Sequence, residues 1–510
     1  MDQEKKSLAS VEKLKTFIPG FDVIGGGGIP RYRTTLVAGT AGSAKTVFAC
    51  QFLAAGIVNN EERGVFVTFE EPAEEIIRNM RGFGWDIQSW IEQGKWAFVD
   101  ASNDHTEETL VSGTFDFGAL LARIEYAVQR VGATRVSLDS IGVVSTFFAQ
   151  PEQIRREMLR ISSGLRQLNI TCVITAERVD DYGPIARYGV EEFIADNVII
   201  LRNALDSEKR RRTIEILKYR GTNHQKGEFP FTVISGEGVV IIPLSAAELT
   251  QKSSSTRLPS GNSQIDEMCG GGFFQDSIIL VSGATGTGKT LMATTFMGAG
   301  PPLEQKSLLF AFEESRDQLF RNAEGWGIDY KGMEERGLFK VICEYPESAS
   351  LEDHLINIKK QMDQFKPRRV AIDSLSALER ISTTKGFREF VVGLTSFIKE
   401  RQITGMFTAT AANLLGGTTI TETHISTITD SIILLRYVEV YAEMRRGVTV
   451  LKMRGSAHDK QIREFLINNS GLHLGRPFRN VTGILSGNFT YLQAGELERV
   501  NAMFGDHLGE

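Results

Sequence analysis

Short, continuously apolar runs alternate along this chain with longer stretches of helical periodicity. In the first half TTLVAG, GVFVTF, WAFVDA, RVSLDS, CVITAE and NVIILR are rich in Val, Ile and Phe and of strand length. Between two of them, Phe117–Val131 carries apolar residues at three- and four-residue intervals, the pattern of an amphipathic helix. Strands without a polar alternate face are those buried on both sides, which happens when helices cover a parallel sheet. The pattern therefore predicts an α/β fold with a mainly parallel sheet and helices on both faces.

The pattern is written twice. FDVIGGGGIP (Phe21–Pro30) is echoed by IDEMCGGGFF (Ile265–Phe274), and LVAGTAGSAKT (Leu36–Thr46) by LVSGATGTGKT (Leu280–Thr290). GVFVTFEEP pairs with SLLFAFEES, RVSLDSI with RVAIDSL, and LKYRG with LKMRG. The offsets are 283 − 39 = 244, 312 − 69 = 243, 373 − 139 = 234 and 452 − 218 = 234. Five elements in one order at nearly constant separation indicate a tandem duplication. The Ser/Thr-rich stretch Ser245–Gly261 reads as a linker, so the lobes are expected at 1–247 and 248–510.

Composition narrows the classes. The 510 residues carry 57 basic against 63 acidic side chains, a net charge of −6, which argues against a general nucleic-acid coat. Cys50, Cys172, Cys269 and Cys343 are scattered, unlike a disulfide scaffold, and the seven histidines have no metal-ligand spacing, so no zinc site is expected. No long apolar span is present and the start, MDQEKKSLASVEK, is polar; a soluble cytoplasmic protein without membrane contact is expected.

The chemistry sits at strand ends. GATGTGKT (Gly283–Thr290) satisfies G-x-x-x-x-G-K-[ST] between an apolar strand and a helix-compatible segment, as a phosphate loop requires. Lys289 would reach the β/γ-phosphates and Thr290 would ligate Mg²⁺, with Thr285, Gly286, Thr287, Gly288 and Leu291 completing the cradle. In the first lobe Gly42, Ser43, Lys45, Thr46 and Val47 repeat this set, but Ala44 replaces glycine, and its methyl is expected where backbone and phosphate meet. Glu70–Glu71 and Glu313–Glu314 follow matched strands, where a carboxylate can accept a proton or hold the metal. Asp139 and Asp373 end RVSLD and RVAID, the position of a Walker B aspartate. Lys218/Arg220 and Lys452/Arg454 share a strand face and suit a phosphate. Glu208–Thr213 (EKRRRT) reads as a solvated turn.

From about Phe17 to Thr490 the chain resembles the KaiC family, the double-lobed RecA-like ATPases and autokinases of the cyanobacterial circadian clock. DYGPIARYGVEEF (Asp181–Phe193), IDEMCGGGFF, ESASLEDHL, HISTITDSIILL and MRGSAHDKQIREF carry that resemblance. It implies two tandem RecA-like P-loop NTPase lobes, a homohexamer of two stacked rings, and ATP or ADP with Mg²⁺ at subunit interfaces. Glu70, supported by Glu71, would serve first-ring hydrolysis. Glu313, with Glu314, would be the second ring's base and Mg²⁺-associated carboxylate, Arg380 lying close by. Lys218, Tyr219, Arg220, Thr222 and His224, and in the second lobe Lys452, Met453 and Arg454, would reach the neighbour's nucleotide, and Trp326 the second adenine site.

The same resemblance implies autophosphorylation of Ser426 and Thr427, with Thr421 as a nearby third hydroxyl. Aligning ITDSIILLR with IADNVIILR puts Asp430 on Asp196, and Ser426 and Thr427 on Glu192 and Phe193, so only the second lobe carries acceptors. The clock partner KaiB would bind the first ring. The end, GNFTYLQAGELERVNAMFGDHLGE, differs from the family tail through which KaiA acts, so KaiA control is not carried over. A RecA-like DNA-dependent ATPase and a nucleotide-assembled scaffold with little turnover share the fold and stand as alternatives.

Overall fold

The computed structural model describes residues 11–101, 117–142, 151–185, 195–206, 209–243, 254–411, 425–440, 443–479, 481–484 and 490–491. The chain divides into two compact units, Met1–Ala246 and Ala247–Glu510, one residue from the boundary expected above.

In the first unit a nine-stranded sheet is built from β1 (Thr34–Gly39), β2 (Gly64–Thr68), β3 (Trp96–Asp100), β4 (Arg135–Asp139), β5 (Thr171–Glu177), β6 (Asn197–Asp206), β7 (Lys209–Tyr219), β8 (Glu228–Ile234) and β9 (Gly238–Ile241). Their order is β9-β8-β7-β6-β1-β5-β4-β2-β3. The strands from β6 to β3 are parallel; β7, β8 and β9 fold back as an antiparallel extension. The helix α1 (Lys45–Asn60) buries Phe48, Phe52 and Leu53 against Val37 and Phe66 on one face. On the other, α2 (Phe117–Val131) and α3 (Pro151–Gln167) bring Leu120, Ile124 and Ile161 against Val65, Val67 and Val136. Burial on both faces is why these strands lack polar alternation.

The second unit repeats the plan with β10 (Ile278–Gly283), β11 (Ser307–Ala311), β12 (Phe339–Cys343), β13 (Arg369–Asp373), β14 (Thr404–Thr410), β15 (Ser431–Val440), β16 (Glu443–Met453), β17 (Arg463–Asn468) and β18 (Gly471–Pro477). The order is β12-β11-β13-β14-β10-β15-β16-β17-β18. Its phosphate-loop helix, α4 (Lys289–Gly298), buries Leu291, Phe296 and Met297 beneath β10 and β11.

Two sequence expectations change. The linker reading of Ser245–Gly261 runs too far: Arg257–Leu258 pairs with Phe273–Phe274, and the carboxylates of Asp276 and Asp266 accept from the N–H groups of Ser254 and Ser260. Ser and Thr there serve turns inside the second unit, while 244–253 lie outside the described residues. Nor is the EKRRRT segment a turn, since Lys209–Thr213 opens β7 and pairs along β6.

Candidate functional site

Both phosphate loops leave the C-terminal end of the central strand, β1 or β10, and run into α1 or α4. In the first, Ser43 Oγ donates to Thr40 O at 2.7 Å and Lys45 Nζ to the same carbonyl at 3.1 Å. In the second, Thr287 Oγ1 and Lys289 Nζ donate to Ala284 O at 2.7 and 2.9 Å. Burial pulls both lysines below their usual pKa. Glu177, Asp139 and Glu70 oppose this around Lys45, and Asp373 and Glu313 around Lys289. The buried ammonium can pair an incoming phosphate, whereas the carboxylates around it would need a divalent cation between them and a polyphosphate.

The Walker aspartates complete the pocket. Asp139 accepts from the hydroxyls of Thr175 and Thr46, and Asp373 from those of Thr408 and Thr290. Burial raises the pKa of both aspartates, and these hydrogen bonds partly restore the carboxylate form. Loop threonine, strand-end aspartate and neighbouring glutamate form a hard-oxygen donor set that fits Mg²⁺. Among the described residues no group of three or more His, Cys, Asp or Glu could hold a metal ion.

The paired glutamates differ in role. Glu70 accepts from Ser140 Oγ at 2.7 Å, and Glu313 from Ser374 Oγ at 3.0 Å. Glu71 and Glu314 turn aside towards Asn79 and Asn322, and burial raises their pKa. Glu313 also pairs with Arg380 at 2.9 Å. A cleft of about 240 Å³ opens beside Glu313 and Glu314, with Arg316 and Tyr345 on its wall.

Ala44 occupies the left-handed region at φ 68°, as Gly288 does at φ 102°. A methyl built on Gly288 meets Ile467 Cδ1 at 3.0 Å, so this position faces the strand beneath the loop. In the first lobe that strand offers the smaller Val233 (467 − 234 = 233), and Ala44 and Val233 both pack on the same core. Ala44 thus packs on the apolar core of the first lobe at the place its methyl was expected to meet phosphate.

Strand register separates the cations from their own phosphate loop. Lys218 pairs with Val198 and so lies level with Leu36; Tyr219 pairs with Asn197, level with Thr35, and Arg220 follows. In the second lobe Lys452 pairs with Ile432, level with Leu280, and the Arg454 N–H bonds Asp430 O. Asp430 lies beside Ile278, so five residues of strand, roughly 17 Å, separate Arg454 from Gly283 where the loop begins. Each lobe thus carries its phosphate loop at one end of the sheet and its Lys-x-Arg pair at the other.

The segment expected to carry the acceptor hydroxyls shares that other end. Ile425–Thr427 forms a single 3₁₀ turn before β15; Arg454 Nη2 donates to Thr427 O at 2.8 Å and Lys452 Nζ to Thr429 O at 2.7 Å. Thr427 is exposed, whereas Thr421, Glu192 and Phe193 lie outside the described residues. Tyr219 and Met453 are buried, and Trp326 is half-buried against the second core. Burial lowers the His224 pKa, and its ring meets Tyr219 edge-on.

Sequence reasoning passed over Ser140, Ser374, Arg212 and Arg446. Arg212 Nε donates to Gly42 O at 3.1 Å and Arg446 Nε to Gly286 O at 3.3 Å, bracing each loop from β7 or β16. The signal was present: 446 − 212 = 234, the offset of the Lys-x-Arg pair. The same offset puts Ser456 and His458 where the first lobe has Thr222 and His224.

A chain that builds this pocket once in each half is a tandem P-loop ATPase of the α/β class. Comparison with known proteins narrows that class. Residues 14–246 and 258–477 match the family described as "ATPase: KaiC". The chain is 62% identical over 508 residues to the circadian clock protein KaiC3 of Synechocystis sp., covering 100% of both chains. It is 54% identical over 492 residues to the circadian clock oscillator protein KaiC of Thermostichus vulcanus, covering 96% of this chain and 94% of that one. It is 52% identical over 494 residues to the KaiC of Synechococcus elongatus, covering 96% and 95%. The chain belongs to the KaiC family of circadian clock proteins. No helix among the described residues is long and apolar enough to cross a membrane.

Proposed function

We propose that this protein hydrolyses ATP in both lobes and, in the second, transfers the γ-phosphoryl group to Ser426 and Thr427 of an adjacent subunit. One observation carries the reading: the acceptor turn and the Lys-x-Arg cations share one end of the sheet, and the phosphate loop lies at the other. Transfer inside one lobe would have to cross the sheet. A head-to-tail neighbour brings the two ends together, and such heterologous contacts form a ring where the rotation between neighbours closes; family membership supports a homohexamer.

At that junction Lys289 would bind the β/γ-phosphates, with Lys452 and Arg454 of the next subunit facing the γ-phosphate. Glu313, oriented by Ser374 and Arg380, would take the acceptor's proton as its oxygen attacks phosphorus and ADP leaves. Mg²⁺ at Thr290 and Thr46 would neutralise phosphate charge. In the first lobe Glu70 would direct water instead, no hydroxyl standing at 192 or 193. Clock partners of the KaiB kind would act on the first ring.

Phosphopeptide mass analysis after incubation with ATP and Mg²⁺, without added partners, tests this. Phosphate should appear on the 425–436 region and vanish in Ser426→Ala/Thr427→Ala. Hydrolysis with no phosphate on that region would overturn the transfer reading.

A further inference from the structure

Away from the phosphate loops a second arrangement recurs in both lobes. Lys13–Leu14 pairs with Ile29–Pro30 and Arg257–Leu258 with Phe273–Phe274. Lys13 and Arg257 hold the same register, since 257 − 13 = 244 and 274 − 30 = 244. The chain between the paired strands makes a glycine turn with positive φ at Gly26, Gly27 and Gly28, and at Gly270, Gly271 and Gly272.

Each cation links that turn to the loop after the Lys-x-Arg strand. Lys13 Nζ donates to Gly25 O at 2.6 Å and Gly26 O at 3.1 Å, then across to Asn223 O at 2.7 Å. Arg257 Nη1 donates to Cys269 O at 3.0 Å and Gly272 O at 2.6 Å, while Nη2 donates to Ser456 Oγ at 2.5 Å. One backbone bond closes each loop beside the cation: Gln225 N to Ile24 O at 2.8 Å, and Asp459 N to Met268 O at 2.9 Å. Lys13 also lies 5.7 Å from the ring centre of Tyr219, within the Lys-x-Arg segment itself. The same cross-link, in the same register, is thus made by different cations acting on different atoms of the loop. That constancy of placement despite changed chemistry points to the loop's position as the thing maintained.

We infer that Lys13 and Arg257 are positioning residues for nucleotide binding across the subunit interface, holding loops 222–224 and 456–458 where they meet the neighbour's ATP. This rests on the reading above that the Lys-x-Arg strands, with Thr222 and His224, face a neighbouring nucleotide, Ser456 and His458 standing at the matching places of the second lobe. Neither cation touches the phosphates; each lowers the ordering that the loop must undergo when nucleotide binds. Loss of charge-assisted hydrogen bonds of this kind corresponds to about a tenfold change in affinity.

The test measures steady-state ATP hydrolysis by the full chain. For the first lobe, the second is silenced by Lys289→Ala and Lys13→Met is compared with Lys13→Arg. Lys13→Met should raise KM for ATP about tenfold while kcat at saturation falls less than about threefold, and Lys13→Arg should restore KM. For the second lobe, in the full chain carrying Lys45→Ala, Arg257→Met should raise KM likewise and Arg257→Lys should rescue only in part, because the shorter point charge replaces a fork whose Nη1 serves the turn and whose Nη2 serves Ser456 Oγ. An unchanged KM, or a loss confined to kcat with a matching fall in thermal stability, overturns the positioning role. Lys218→Ala and Arg220→Ala are run alongside. If they too leave KM unchanged, the interface reading has failed; if they raise it and Lys13→Met does not, only the positioning inference has.

Discussion

Two arginines, Arg135 and Arg369, stand at matched positions (369 − 135 = 234) and are fully buried, yet their partners differ. Arg135 donates to the Phe52 and Lys15 carbonyls and pairs with Glu62. Arg369 donates to Pro259 O at 2.6 Å, but where a carboxylate would complete it stands Gln305, 3.3 Å from Nε. Its Nη2 is buried without a hydrogen-bond partner among the described residues, and burial brings its pKa down to about 10. Well below pH 10 the group is protonated in both folded and unfolded chains, so its desolvation cost is present throughout the neutral range. Gln305→Glu should therefore stabilise the second lobe by about 1 kcal/mol. A carboxylate that gains a partner has its folded pKa depressed, so the gain holds above about pH 4.5 and fades in acid. Urea unfolding read by hydrogen exchange in β13 checks this; an unchanged midpoint at pH 7.5 would show that Gln305 already satisfies the guanidinium.

At the scale of elements, the phosphate loop and the strand beneath it vary together. Gly288 lies over Ile467, whereas in the first lobe Ala44 and the matched Val233 both pack on the same core. Placing a methyl at 288 forces it against Ile467 and holds a non-glycine residue at positive φ, at a combined cost of about 2–3 kcal/mol. Gly288→Ala should accordingly speed amide exchange in α4, and Gly288→Ala/Ile467→Val should recover the steric share. Equal exchange in the single and double variants would refute the coupling. Much of this architecture was legible in the chain. Apolar strands, paired glutamates and strand-end aspartates are local patterns, and the duplication fixed which of them mattered. The pairing of Ala44 with a smaller residue at 233 was not legible, because the two positions join one core only once β8 has folded back. Arg212 escaped for a related reason: a run of basic residues looks solvated until pairing with β6 aims one guanidinium at Gly42 O.

For the whole molecule, polarity is the governing property. Parallel strands give each lobe two unlike ends, one with Lys45 or Lys289 beneath a phosphate loop, the other with Lys218/Arg220 or Lys452/Arg454. Asp196 holds Arg220 at 3.3 Å and Asp430 holds Arg454 at 3.6 Å, so the cations are fixed at the receiving end before any neighbour arrives. On the transfer reading proposed above, a single subunit holds its two halves of the reaction at opposite ends and needs a neighbour to bring them together. On that reading, a head-to-tail contact repeated around a ring places the phosphate loop of every chain against the cations and hydroxyls of the next. Mixing two defective chains tests this directly. One, Glu313→Gln, retains its hydroxyls; the other, Ser426→Ala/Thr427→Ala, retains its donor site. Each alone should incorporate less than about a tenth of wild-type phosphate. Together, after subunit exchange in ATP, phosphate should appear on the Glu313→Gln chain only, identified by its peptide mass. With random mixing in a ring, about half of the intact acceptors face an intact donor, which sets the expected yield near a quarter of wild type per total chain. No recovery on mixing, with subunit exchange verified separately, would mean that each chain phosphorylates itself, and the end-to-end argument would fall.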